Sequence, residues 1–417
     1  MIKFTNGLVL DKDFNIIEKD VYVNNDKIIA IGEYNAIPDE TINLNGNLLM
    51  PSFKNAHTHS AMTFARSFAD DLPLQQWLFD KIFPLEAKLT SDDIYHLSKL
   101  AFLEYLTSGI SACFDMYYYP ESMAKASIDT GFRTVMTCGL NDFQESIDKL
   151  EEYYNKFNNY HPLISYKLGF HAEYTTSLDK IKAISELAKK YEAPVFTHSS
   201  ETKHEVEECT KKYGKTPTQL FNDLGLFDYG GGAYHSVWVS DDDLKIYKDK
   251  GVYAVINAGS NCKLASGIAP VSKMIDKGIN IAIGTDGPSS NNALDMFREM
   301  FLICATQKLN DCDASSTNPI EILKAATVGS ARCMGLNDCD VIDVGKKADL
   351  IIIDLKRPNM QPINNILKNI VYSGSKENVK MTMINGKILY KNGKFIDTDI
   401  NEIYKNAQNI IDRISKQ

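Results

Sequence analysis

The feature that constrains this chain most is a recurring one: apolar, β-rich runs close on a histidine or an aspartate, and helical stretches separate them. LLMPSFKNAHTH ends on His57 and His59, YKLGFHAE holds His171, APVFTHSSE holds His198, GGGAYHSVWV holds His235 and INIAIGTDG holds Asp286. Alternation of such runs with helical patterns like SDDIYHLSKLAFLEYLTSG implies parallel strands joined by helical crossovers. The polar groups converge only if the strand ends converge. In a β/α barrel they do, because every parallel strand delivers its C-terminal end to one face, where active sites of that fold lie. The successive separations of 27 residues from His171 to His198, 37 from His198 to His235 and 51 from His235 to Asp286 suit one, one and two strand–helix units of about 30 residues. Eight strands are expected, the remaining ones at about 110–116, 133–140 and 252–257.

The two ends of the chain differ from this middle and resemble each other. Residues 1–50 read as short strands reversed at Asn-Gly and Asn-Asp, and β texture returns after Lys346 in ADLIIIDL and MTMINGKILYKNGKF. The expected fold is therefore α/β. A (β/α)8 TIM-like barrel over 51–344 is joined to a small β-sandwich domain built from both chain termini, 1–50 and 345–396, and a C-terminal helix follows over 397–417.

Charge and cysteine usage narrow the partners. The net charge is −9 and no dense Lys/Arg cluster occurs, so the electrostatic footprint of a nucleic-acid binder is missing. No signal-peptide stretch or run of about 18 apolar residues appears, and eight cysteines are scattered without a Cys-x-x-Cys. These features predict a cytoplasmic protein acting on a small molecule, with neither membrane nor nucleic acid as partner.

His57-Thr58-His59 places two imidazoles on one side of a strand end, where both can address one metal, although His-x-His alone is often incidental. Adding His198 and Asp286 supplies three nitrogens and a carboxylate. That set suits one divalent transition metal with a position left for water, zinc by ligand type, with iron, nickel or manganese able to use the same donors. Asp286, in Thr-Asp-Gly after an apolar run, would be costly to bury without such a partner.

These residues carry a family resemblance. The chain resembles the amidohydrolase superfamily, within its deaminase and chlorohydrolase branch, and is most similar to the methylthioadenosine/S-adenosylhomocysteine deaminases. The likeness spans nearly the whole chain through PSFKNAHTHSAMTFARSFADDLPLQQWLFDKIFPLEAKLT, THSSET, GTDGPSSNNALDMFREM and KKADLIIIDL. It implies metal ligands His57, His59, His198 and Asp286, with Glu201 protonating a ring nitrogen and His235 orienting a metal-activated hydroxide. Asp286 takes the water proton, so the catalytic residues are Glu201, His235 and Asp286. It further implies that Trp77 walls the substrate pocket, that Glu86 receives ribose hydroxyls, and that His171 and Ser290 contact the base. Homo-oligomerisation is also an expectation of the resemblance.

Departures from the family pattern bear on the substrate. Relatives that act on S-adenosylhomocysteine place an arginine where this chain has Cys138, and no arginine occurs between Arg133 and Arg298. Lys203 or Lys263 would replace it only as a point charge. Glu173 adds a carboxylate after His171, while Ile256 and Ala258 replace the usual histidine and proline. The expected activity is hydrolytic deamination of an adenine nucleoside, methylthioadenosine or adenosine ahead of S-adenosylhomocysteine, with release of ammonia. The alternative is an amidohydrolase acting on guanine or another aminated or chlorinated N-heterocycle. A non-catalytic scaffold would have lost ligands that are all present here.

Overall fold

In the computed structural model, which describes residues 1–416, the middle of the chain forms two sheets of parallel strands. One has the spatial order Ile164–Tyr166, Arg133–Thr137, Ile110–Met116, Phe53–Thr58. The other runs Leu168–Gly169, Val195–Ser199, Gly231–His235, Val252–Ile256, Asn280–Ile283. The strand expected around YKLGF is split at Lys167, so its two halves belong to different sheets. Lys167 N–H bonds Met136 O at 2.8 Å and Phe170 N–H bonds Phe196 O at 3.2 Å, bridging that seam. Across the other seam Asp286 N–H bonds His57 O at 3.0 Å.

The strands are almost wholly buried because both faces are covered. Ala56, Ala112, Phe114, Val135, Phe196, Tyr234 and Val255 form one apolar cluster, and a larger one packs against the helices. Local chemistry sets the helix boundaries. Ser91–Thr107 and Lys203–Tyr213 begin in capping boxes of Thr90 with Asp93 and Thr202 with Glu205. Gly214 ends the second in a left-handed conformation, φ 70, that only glycine adopts freely.

The chain ends share one of two further sheets. A four-stranded sheet has the order Lys27–Ile31, Val21–Asn24, Ile2–Thr5, Glu40–Asn43. In a seven-stranded sheet, Leu48–Pro51 pairs antiparallel with Leu350–Ile353, which continues into Val379–Ile384 and Lys387–Lys391. Phe4, Val23, Leu49, Ile352 and Met381 belong to one core between the two sheets. A buried ion pair pins this part to the parallel strands: Arg133 holds Asp349 through two nitrogens at 3.0 and 3.1 Å.

The last helix, Ile400–Ile414, turns away from the terminal sheets. Its Ala407, Ile410 and Ile414 pack with Leu85, Leu89, Ile94 and Leu97, beneath the segment that carries Trp77 and Glu86. Among the described residues no helix is long and apolar enough to cross a membrane.

Candidate active site

Strand ends place the polar cluster. His57 lies in Phe53–Thr58 and His59 just beyond it, His198 lies in Val195–Ser199, His235 closes Gly231–His235, and Asp286 follows Asn280–Ile283. Asp286 Oδ1 is 3.5 Å from His57 Nε2 and 3.3 Å from His59 Nε2. Ligand atoms of His57, His198, His235 and Asp286 all lie within 4.8 Å of one another. The structure thus gathers five groups, the four expected ligands together with His235.

Each imidazole except one is anchored on its far side. His59 Nδ1 donates to Met116 O, His198 Nδ1 to His171 O, and His235 Nδ1 faces Asn261 Oδ1, each at 2.7 Å. A carbonyl only accepts, so Nδ1 carries the proton and Nε2 presents a lone pair to the centre. Asp286 Oδ2 accepts from Ser260 at 2.6 Å and Ser290 at 2.7 Å, which leaves Oδ1 for the centre. His57 lies face to face with Tyr234, centroids 3.8 Å apart, and neither of its nitrogens has a hydrogen-bond partner among the described residues. A fully buried orphan of this kind is costly.

The electrostatics agree with a cation in this place. Burial pushes His57 down to about 3 and, with the neighbouring imidazoles, holds His198 well below its usual range. Burial opposes the ionised forms of His59 and Asp286 as well, but their mutual attraction prevails. His59 rises to about 9, and Asp286, also drawn by His57, falls well below the carboxylate range. A cation is compatible with this cluster, and the residues that could hold a divalent ion are His57, His59, His198 and Asp286; such an ion would pair one of the two orphan nitrogens of His57.

Glu201 stands beside this centre. It is buried, its Oε2 is 3.7 Å from His235 Nε2, and Ser266 Oγ donates weakly to Oε1 at 3.4 Å. Burial raises its carboxyl while His235 opposes the rise, so the group can hold a proton. It does not cap the helix that follows; Thr202 and Glu205 do. Ser200, His235, Ser236 and Asp286 have left-handed backbones, φ between 49 and 73, a concentration of strain typical of sites the fold over-determines.

One cavity opens onto His59, His198, Glu201, His235 and Asp286 and is also lined by Trp77, Phe83, Glu86 and Tyr117. Trp77 begins a π-helical turn, Trp77–Ile82, and is both core and cavity wall. Glu86 is buried; burial pushes it up to about 7, outweighing the hydrogen bond donated by the Tyr117 hydroxyl. His171, held by Thr175 at 2.8 Å and pushed down to about 4 by burial, lines the cavity as a neutral ring. Ser290 lines it too, with its hydroxyl committed to Asp286.

The positions that depart from the family pattern lie behind the wall. Cys138 is buried with its sulfur 3.7 Å from Gly169 O. Glu173 is buried outside the cavity lining, with Lys212 as its charged neighbour, so the carboxylate it adds after His171 does not face the cavity. Lys263 is tied to Asp70, Asn292 and Ser289 O, and Lys203 sits at the surface 3.5 Å from Glu207. Among the described residues no lysine or arginine lines the cavity. Ile256 is buried in its strand and Ala258 begins the short helix Ala258–Lys263. That helix delivers Ser260 to Asp286 and Asn261 to His235, two holders the sequence reading missed, as it missed Tyr117. Nothing in their local sequence marks them.

Parallel strands that bring imidazoles, a carboxylate and a buried glutamate to one cavity have the build of a metal-dependent hydrolase. The chain belongs to the amidohydrolase family, whose model matches residues 48–389. It is 40% identical to the 5-methylthioadenosine/S-adenosylhomocysteine deaminase of Caldanaerobacter subterraneus subsp. tengcongensis, over 99% of this chain and 98% of that protein. It is 37% identical to the 5'-deoxyadenosine deaminase of Methanopyrus kandleri, over 88% and 87%. A solved adenosine deaminase from Xanthomonas campestris with bound zinc superposes with a TM-score of 0.95 at 31% identity, covering 100% of this chain and 99% of that one.

Proposed function

We propose that the protein is a metal-dependent hydrolytic deaminase of an adenine nucleoside. The observation that carries this reading is one cavity lined by His59, His198, His235 and Asp286, by the buried Glu201, and by Trp77 and Glu86, with His57 directly behind the cluster. His57, His59, His198 and Asp286 are the proposed ligands, and zinc is the ion their donors suit best. Such an ion, when bound, lowers the pKa of a water toward neutrality and so supplies a nucleophile at pH 7.

The protein groups do the rest. Glu201 gives its proton to a ring nitrogen, which makes the adjacent amidine carbon electrophilic. Asp286, fixed through Oδ2 by Ser260 and Ser290, takes a proton from the attacking water at Oδ1 and returns it to the departing amine. His235, fixed by Asn261, orients the attack. Water adds at the carbon, ammonia leaves with the proton relayed by Asp286, and the proton of the added hydroxyl returns to Glu201 as an oxo group replaces the amine. Trp77 flanks the flat base and Glu86 accepts the sugar hydroxyls. A cavity lined by no lysine or arginine among the described residues favours nucleosides with a neutral 5' substituent, methylthioadenosine or adenosine, over S-adenosylhomocysteine with its carboxylate.

The same reading covers architecture. Bridged seams on both sides support a closed (β/α)8 barrel over 51–344, and the shared core of the terminal sheets supports a β-sandwich from 1–50 and 345–396. Eight free cysteines fit the reducing cytoplasm. The test is ammonia release by metal-quantified protein against adenosine, methylthioadenosine, S-adenosylhomocysteine and guanine, alongside Glu201→Gln. Turnover of the first two above the third, and a Glu201→Gln variant that keeps the metal but loses at least about 10²-fold in kcat, are expected. Silence on every nucleoside would overturn the reading.

A further inference from the structure

Glu205 is 4% exposed, yet among the described residues its carboxylate is in no ion pair. Its oxygens are spent on backbone. One accepts the Ser200 N–H at 2.7 Å, and the other accepts the Glu201 N–H at 2.8 Å and the Thr202 N–H at 3.4 Å. Only the last of these belongs to the capping box, whose other half is the Glu205 N–H on Thr202 Oγ1 at 3.1 Å. The two shorter bonds reach past the helix into the turn that leaves strand Val195–Ser199. There Ser200 has φ 56, and its carbonyl accepts the Val237 and Trp238 N–H groups at 3.0 and 2.8 Å. One buried carboxylate therefore joins the helix, the turn bearing Glu201 and the turn after His235.

We infer that Glu205 is a positioning residue, whose carboxylate fixes the Ser200–Glu201 backbone and so aims the Glu201 side chain at the reacting ring. A helix cap alone requires neither of the two shorter bonds. Without them two buried N–H groups are left unpaired in a left-handed turn, which relaxes by moving Glu201. A displacement of about 1 Å at such a group costs on the order of 10²-fold in rate. The inference rests on the reading of Glu201 as proton carrier.

The test compares metal-loaded wild type with Glu205→Gln, Thr202→Ala and Glu201→Gln. Glutamine keeps one accepting oxygen but turns an NH2 group toward a backbone N–H. Glu205→Gln should retain its metal, lose roughly 10- to 100-fold in kcat with KM within about twofold, and lose hydrogen-exchange protection at the Ser200 and Glu201 amides. Thr202→Ala breaks the capping box without touching those bonds, so its Tm should fall while kcat stays within about twofold. Should Glu205→Gln not fold, Glu205→Asp, with the charge but a shorter reach, is expected to show the same selective loss of kcat. Wild-type kcat in the position-205 variant, or an equal loss in Thr202→Ala, would reduce Glu205 to a cap and overturn the inference. Wild-type turnover by Glu201→Gln would instead remove the premise.

Discussion

Replacing Glu86 by glutamine tests the proposed placement of the sugar and the energetic cost of this buried carboxyl together. Burial pushes this carboxyl from 4.5 to about 7, with the Tyr117 hydroxyl opposing. In the unfolded chain it ionises at its ordinary value, so above that value the folded protein must either keep a proton or hold a buried charge. A carboxyl raised by folding leaves stability intact below about pH 4.5 and removes it as pH climbs to about 7. At about 1.4 kcal/mol per pH unit this amounts to about 3 kcal/mol at pH 8. Glutamine keeps the size and an oxygen for Tyr117 but cannot ionise. In urea denaturation of the substrate-free, metal-loaded protein, Glu86→Gln should therefore exceed wild type by about 2–4 kcal/mol at pH 8, with the advantage gone near pH 4.5. The same change should raise KM for adenosine by roughly 10- to 100-fold, because hydrogen bonds to a charged acceptor are lost. A variant no more stable than wild type at pH 8 would refute the burial argument. An unchanged KM would refute the placement of sugar hydroxyls on Glu86.

Two further outcomes are expected. Stripping the ion with a chelator at neutral pH should abolish ammonia release and lower the calorimetric Tm, and about one equivalent of zinc should restore both, since a ligand at 1,000 times its Kd adds about 4 kcal/mol. Gly284→Ala should weaken metal retention on dialysis by roughly 10- to 100-fold, because a Cβ there would lie 2.8 Å from His57 N and 2.4 Å from Asn257 Oδ1 and would displace the backbone that carries His57.

The sequence was most legible where one side chain acts from a strand end. Period and spacing were enough to place His57, His59, His198, His235 and Asp286 at strand termini, because a parallel strand exposes its C-terminal residues whatever surrounds it. The paired texture of the two chain ends likewise anticipated a shared sheet. What stayed hidden are contacts that need two distant backbones in position. Ser260 and Asn261 act only because a short helix after Val252–Ile256 swings back to Asp286 and His235. Tyr117 matters only because Glu86 is buried against it. Glu173 illustrates the reverse: adjacent to a cavity residue in sequence, it turns away from the cavity, since neighbours along an irregular segment share no face. The final helix could be read as a helix, but its seat on Leu85 and Leu97 could not.

The pairing of Leu48–Pro51 with Leu350–Ile353 has a consequence for biosynthesis. Strand 48–51 emerges early, and the partner on its 350–353 side follows about 300 residues later. At 5–20 residues per second that delay is roughly 15–60 s. Throughout it, an apolar strand edge adjoining the first catalytic strand stands open to other nascent chains, which makes translation speed and chaperone cover determinants of yield. Nor is the substrate wall braced until Ala407, Ile410 and Ile414 have been made, so the catalyst is complete only when its last turn of helix has left the ribosome.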